Sequence, residues 1–368
     1  MEQNKRTVKL NFKLVISYLF ALSFILNISS VKAESGGEEF NAGDMIMHHV
    51  MDAHEIHYMT LAKGTPEETH LSIPLPIILY TPDNGIEIFS SSKFHNDEHK
   101  YGRYIMHHEK IYIANEAGEL DLDAEGHASN AKPLDLSITK TVAGIFICVI
   151  LMFLVFGSVA KAYKKRPGQA PKGLQSFMEP LILFIRDEVA KPSIGPKYEK
   201  FMPYLLTVFF FIWFSNVLGL IPFVGGFNVT GNIAITIVLA LFTFFITIIK
   251  GNKHYWAHIF ATPGVPGWLL PLMIPIEILS MFSKPLVLNL RLFANILAGH
   301  IVILSFMSLI FLFKGMYGPG AGFGVSIVSM AFAMFINLLE ILVAFLQAYV
   351  FTLLSALYFG DAVQEAHH

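Results

Sequence analysis

From Thr141 to Ala160 the chain runs for 20 residues without a charged side chain, and further long apolar runs follow it. A run of that length matches the hydrocarbon thickness of a bilayer. Charged residues make up only 15% of the 368, against about 25% in a typical soluble protein, and 54% are hydrophobic. The class is a polytopic membrane protein. A net charge of -2 leaves no bulk electrostatic footprint for nucleic acid. Cys148, the one cysteine, excludes an intrachain disulfide. No G-x-x-x-x-G-K-[ST] loop is present, so no nucleotide site is expected on this chain.

Residues 1–33 read as a secretory signal. Lys5, Arg6, Lys9 and Lys13 form a basic start, Leu14 to Ile28 an apolar core, and Val31-Lys32-Ala33 a small-residue cleavage site. Cleavage is favoured over a retained anchor because the apolar run is short for a span.

Residues 34–136 are polar and hold ten of the 15 histidines. Ile77 to Tyr80 and Gly85 to Phe89 flank Asp83-Asn84-Gly85, a hairpin signal. Lys110 to Ala114 and Glu119 to Asp123 flank a second turn at Glu116-Ala117-Gly118. A small β-rich module outside the cytoplasm is expected. Its histidines (His48, His49, His54, His57, His95, His99, His107 and His108) invite a metal reading. But His54-Glu55-Ile56-His57 is one residue short of H-E-x-x-H, and ordinary exposed histidine is the reading preferred here.

Residues 137–368 carry the spans. Lys161, Lys164, Lys165 and Arg166 follow the first, and Lys172, Arg186, Lys191, Lys197 and Lys200 continue the bias. The positive-inside rule makes this linker cytoplasmic and the N-terminal module external. Leu174 to Val189 suits an amphipathic interfacial helix. Met202 to Val224 is the second span, with Ser215, Asn216 and Pro222. The third, about Asn228 to Ile249, carries Thr230, Asn232 and Thr236. Such polar groups either bond neighbouring helices or line a water path, and both readings stay open for Asn216, Asn232 and Thr236. His254 to Pro271, broken by Pro263, Pro266 and Pro271, reads as an interfacial connection with Trp256 and Trp268 at headgroup depth. Leu272 to Phe282 is short and holds Glu277. An apolar run then continues to Phe313, Gly315 to Gly324 forms a turn, and Val325 to Phe359 is the last run. At about 1.5 Å per residue the last run would reach on the order of 50 Å, so the final two helices are expected to form a long, slanted hairpin.

Arg291 lies in the fourth run. Arginine cannot shed its charge, and a charge at bilayer depth costs about 2.5–3.5 kcal/mol on insertion scales. At about 100° per residue, Arg291 and Asn295 share a face with Ala298 and Gly299, while His300 points to the opposite side. Glu340 and Gln347 share a face of the last helix with Asn337 and Ala344. The simplest packing sets His300 against Glu340 and Gln347 near Arg291.

Here the chain resembles subunit a of the rotary ATP synthases. Ser283-Lys284-Pro285, Leu290-Arg291-Leu292-Phe293-Ala294-Asn295 and Ala298-Gly299 carry the resemblance, with Glu277, Gln347, Asn216, Asn232, Thr236 and Leu136 to Lys140 in support. It covers about 137 to 360, with a weaker echo at Ile46 to Val50. Some members carry Glu at His300 and His at Glu340, an exchange that preserves a pair. A carboxylate found after Asn216 in some members is replaced by Gly219. The stretch from Thr60 to Pro133 looks like an insertion.

The resemblance implies an all-α membrane domain of about five spans plus interfacial helices. It also implies a non-catalytic, proton-translocating stator subunit with no cofactor, beside a ring of proteolipid c subunits and with peripheral-stalk b subunits. Two offset half-channels would serve the ring carboxylates, with Arg291 between them. Glu340, His300, Asn216, Asn232 and Thr236 would form the outer path, Asn295 and Gln347 would orient groups near the arginine, and Glu277 would serve the cytoplasmic exit. The chain would lie in a bacterial inner membrane with a periplasmic module and cytoplasmic C-terminus. An anion-binding transporter or channel is the rival, and would need inverted repeats, which the two halves do not show. A purely structural assembly subunit is the third option, and would tolerate Arg291→Lys.

Overall fold

The computed structural model describes residues 41–61, 69–96, 99–123, 126–221, 226–260 and 266–364. The signal-peptide reading, Pro222 and Pro263 lie outside them. Among the described residues, helix α1 (Ala42–Val50) is followed by strands β1 (Glu55–Leu61), β2 (Thr69–Pro74), β3 (Pro76–Thr81), β4 (Gly85–Ser90), β5 (Lys100–Tyr101), β6 (Tyr104–His107), β7 (Lys110–Ile113) and β8 (Leu134–Asp135). They form three small antiparallel sheets, β1-β2, β4-β3-β8 and β5-β6-β7.

The Asp83-Asn84-Gly85 turn joins β3 to β4 as expected, with Thr81 opposite Gly85 at φ 71°. The second expected hairpin does not form. Lys110–Ile113 pairs backwards with Tyr104–His107, and Glu119 to Asp123 holds no strand beyond the Leu122–Ala128 bridge. The β6–β7 turn is His108-Glu109, with φ of 47° and 61°. β3 buries alternate residues, and Ile77 and Leu79 form a core with Phe94, Tyr104 and Ile111.

Among the described residues, five helices are long and apolar enough to cross a membrane. They are α2 (Lys140–Lys165), α4 (Met202–Gly219), α5 (Ile233–Lys250), α7 (Leu270–Tyr317) and α8 (Pro319–Val363); α3 (Leu174–Phe184) and α6 (Lys253–Phe260) are shorter. Thr139 caps α2, its hydroxyl accepting from the Val142 amide, and Lys164 and Lys165 close the last turn, where the helix dipole favours cations. α3 runs on through a π-turn at Ile185–Ala190, so the stretch expected to be helical from Leu174 to Val189 is helical.

Several boundaries differ from expectation. The second span ends at Gly219 rather than Val224, and the third starts at Ile233 rather than Asn228. His254 to Phe260 is helical. Leu272 to Phe282 is no separate segment: α7 is continuous for 48 residues, with Pro275 and Pro285 inside it. The Gly-rich turn contracts to Gly318 at φ 88°, with α8 starting at Pro319 and running 45 residues.

Phe209, Phe210, Leu288, Leu292, Ala348, Phe351, Ala356 and Phe359 close the core between α4, α7 and α8. The small residues let backbones approach, and a Cβ on Gly360 would sit 2.0 Å from the Ser193 carbonyl oxygen. Phe146, Phe153, Phe242, Phe245, Phe332 and Leu338 point outward. So many exposed large apolar side chains on the long helices suit lipid rather than water.

The module sits against one end of the bundle. Ile56 and Leu75 pack on Phe227 and Val229 of the α4–α5 loop, and Ala143 and Ile145 of α2 join them. α1 lies against α7.

Candidate functional site

Three elements meet around His300. Its Nδ1 lies 2.6 Å from Glu340 Oε1 on α8, an ion-pair distance across the α7–α8 seam. The approach lacks hydrogen-bond alignment, and neither Glu340 oxygen has a hydrogen-bond partner among the described residues. Glu340 is 4% exposed. Gly299 makes its seat, since a Cβ there would fall 2.8 Å from Oε1. On the other flank, a Cβ on Gly219 would lie 3.8 Å from His300 Nε2 and 2.6 Å from the Phe227 carbonyl oxygen. The imidazole thus reaches toward the backbone of α4 at Gly219.

Asn216 is one turn before Gly219 on the same side of α4. Its Oδ1 accepts a bond from the Thr230 hydroxyl, while its buried Nδ2 has no partner among the described residues. Asn232 lies outside the helix as the cap of α5: its Oδ1 accepts from the Ala234 amide, and its Nδ2 donates to Asp52 Oδ2 at 3.3 Å. Thr236 is fully buried and bonds back to the Ile233 carbonyl at 3.1 Å. The structure therefore brings Asn216 to the His300 junction and leaves Asn232 and Thr236 at the head of α5.

Arg291 and Asn295 share an exposed stripe of α7 with Val287, Leu290, Ala294 and Ala298, while Leu288, Asn289, Leu292 and Ile296 face the core. Among the described residues Arg291 has no hydrogen bond or ion pair. Gln347 is 6% exposed, and among the described residues no hydrogen bond joins it to Arg291. Glu277 is half-buried near the start of α7. At that end Lys284 Nζ reaches Asp361 Oδ2 at 3.3 Å and stacks over the Tyr358 ring.

Sequence reasoning missed Asp52, Asn289 and the Lys284–Asp361 clasp. Asn289 is 1% exposed, with an unpartnered Oδ1. The clasp spans 77 positions, beyond any local spacing signal.

A family model for the ATP synthase A chain matches residues 142–360, more than half of the chain and the whole of the site. The chain belongs to the ATP synthase A chain family. Relatives in that family include an ATP synthase subunit a from Chlorobium phaeobacteroides strain DSM 266, 45% identical over 280 residues, 74% of this chain and 78% of the relative. One from Chloroherpeton thalassium is 47% identical over 240 residues, 64% of this chain and 69% of the relative. One from Chlorobium phaeobacteroides strain BS1 is 39% identical over 343 residues, 91% of this chain and 80% of the relative. That last match must take in most of the N-terminal module. A second family model, described as a domain of unknown function, covers residues 45–136. The stretch from Thr60 to Pro133 thus lies within a region that has a family model of its own.

Among the described residues, His54, His95 and His107 of the module have protein partners. His54 Nε2 lies 2.8 Å from Asp135 Oδ2, His95 Nε2 2.6 Å from Glu55 Oε2, and His107 Nε2 3.2 Å from the Gly126 carbonyl. Among the described residues no three His, Cys, Asp or Glu side chains converge as a metal site would require. Burial alone would raise the Asp135 carboxyl, but hydrogen bonds from His54 and Ser137 outweigh it and hold the group below its usual range.

Proposed function

We propose that this chain is the proton-translocating stator subunit of a rotary ATP synthase in a bacterial inner membrane. It would abut a ring of proteolipid c subunits and be braced by peripheral-stalk b subunits. The observation that carries the reading is Arg291: a permanent charge on the exposed face of an apolar helix, with no acid beside it among the described residues. A structural arginine would be locked to a carboxylate of its own chain, whereas Glu340 sits with His300 instead.

An exposed guanidinium attracts an ionised ring carboxylate and disfavours the protonated one, because an opposite charge within about 4–6 Å lowers a carboxyl pKa. A ring site would release its proton before passing Arg291 and take another afterwards. The charge also blocks a direct leak. Glu340 and His300 would pass protons in the outer half-channel, with Asn216, Asn232 and Thr236 along it. Asn295 and Gln347 would orient groups near the arginine. Glu277 would serve a cytoplasmic exit at the other end of α7, where Thr243, Thr247, Lys284 and Tyr358 line a small cavity. The membrane potential supplies about 2.3 kcal/mol per charge per 100 mV, so several protons drive each ATP made elsewhere in the complex. The module would be periplasmic and the C-terminus cytoplasmic.

The test is Arg291→Ala in the whole complex. Assembly with loss of coupled ATP synthesis is expected; near-normal ATP-driven proton pumping would overturn the reading.

A further inference from the structure

The segment between α1 and β1 is fastened to the bundle on two sides. Asp52 Oδ1 accepts from the Thr141 amide at 2.9 Å, in the first turn of α2. Its Oδ2 accepts from Asn232 Nδ2 at the cap of α5. Beside it, the Ala53 carbonyl accepts from the Lys140 amide at 2.8 Å. One carboxylate thus ties together the module and the heads of two candidate spans. Between those heads runs the loop 226–232, whose Phe227 carries both relationships that matter. Its side chain packs on Ile56 and Leu75 of the module, and its carbonyl abuts Gly219 beside His300.

We infer that Asp52 is a positioning residue for proton entry, holding residues 226–232, and with them the module, as a fixed cover over the approach to His300 and Glu340. This rests on the proton-carrying reading above and assigns a task to the N-terminal module within it. Asn232 cannot turn its amide to suit a changed partner, because its Oδ1 already caps α5. The charged groups around Asp52 are Lys140 at the start of α2, Glu109 of the β6–β7 turn acting on that lysine, and the His54–Asp135 pair two residues along.

The informative variant is Asp52→Asn. Its remaining oxygen keeps the bond from Thr141, but its amide then faces the Asn232 amide, donor against donor. Proteoliposomes holding the whole complex would be assayed for ATP synthesis at fixed membrane potential while the outer pH is varied. The outer pH for half-maximal synthesis is expected to fall by about one unit, a tenfold loss of apparent proton affinity of the size a charge-assisted hydrogen bond carries. The maximal rate should hold, and Asp52→Glu should recover part of the shift. An unchanged half-point in Asp52→Asn would overturn the inference, as would failure of that variant to assemble, since Asp52 would then serve folding alone. Arg291→Ala separates the two readings: if it abolishes coupling while Asp52→Asn does nothing, the stator assignment stands and the cover does not.

Discussion

His300 and Glu340 meet at 2.6 Å, with Glu340 almost wholly buried and His300 18% exposed at its side chain. The wetter partner is the imidazole, which also reaches toward Gly219. On the proton-carrying reading proposed above, a proton coming from the more exposed side would meet His300 first and Glu340 second. Glu340→Gln removes the acceptor and should slow passive proton flow through the membrane sector; unchanged flow would return Glu340 to a purely structural role. The double exchange His300→Glu with Glu340→His should recover more flow than either single change, because contact residues couple in a double-mutant cycle.

Gly299→Ala should disturb the same pair without touching its chemistry. The added methyl would lie 2.8 Å from Glu340 Oε1, so the carboxylate must move. Overpacking of this kind costs about 1–3 kcal/mol. Reduced proton flow in an assembled complex is expected, and a wild-type rate would show that the seat of Glu340 is loose.

Thr230→Val keeps the shape of the loop and removes the hydroxyl that Asn216 Oδ1 uses. An abandoned buried acceptor costs about 1–3 kcal/mol. A lowered Tm of the detergent-solubilised chain is expected, and an unchanged Tm would mean that water takes over the acceptor.

The module should loosen in acid. Asp135 has its carboxyl held below the ordinary value, so the stability it contributes is present above about pH 4 and is lost as pH falls through its folded-state value. Amide hydrogen exchange in β3 and β8 should accelerate below that point, and Asp135→Asn should remove the difference. Protection that stays flat with pH would rule the pair out as a clamp.

Helix type and number were legible because apolar length is a strong signal, and the shared face of Arg291, Asn295 and Ala298 and the His300–Glu340 contact followed from 100° spacing, whereas Gly299, expected on the arginine's face, turns to Glu340. The misses have specific causes. The His108-Glu109 turn uses positive φ at two residues that carry no turn signature, so Gly118 drew the hairpin to the wrong place. Leu272 to Phe282 read as a short separate segment, yet α7 runs unbroken through it and through Pro275 and Pro285. Asp52 and Asn232 are 180 positions apart, and only the folded chain brings them together.

The lengths of α7 and α8 have a consequence for movement. A helix of 48 residues is about 72 Å long. It lies within a layer about 30 Å thick only if its axis leans roughly 65° from the normal. On such a slope, climbing from Glu277 to His300 is mostly sideways travel. The two ends of the arginine stripe would then face different points on the circumference of a neighbouring ring. The lean alone would convert a difference in depth into an angle of rotation.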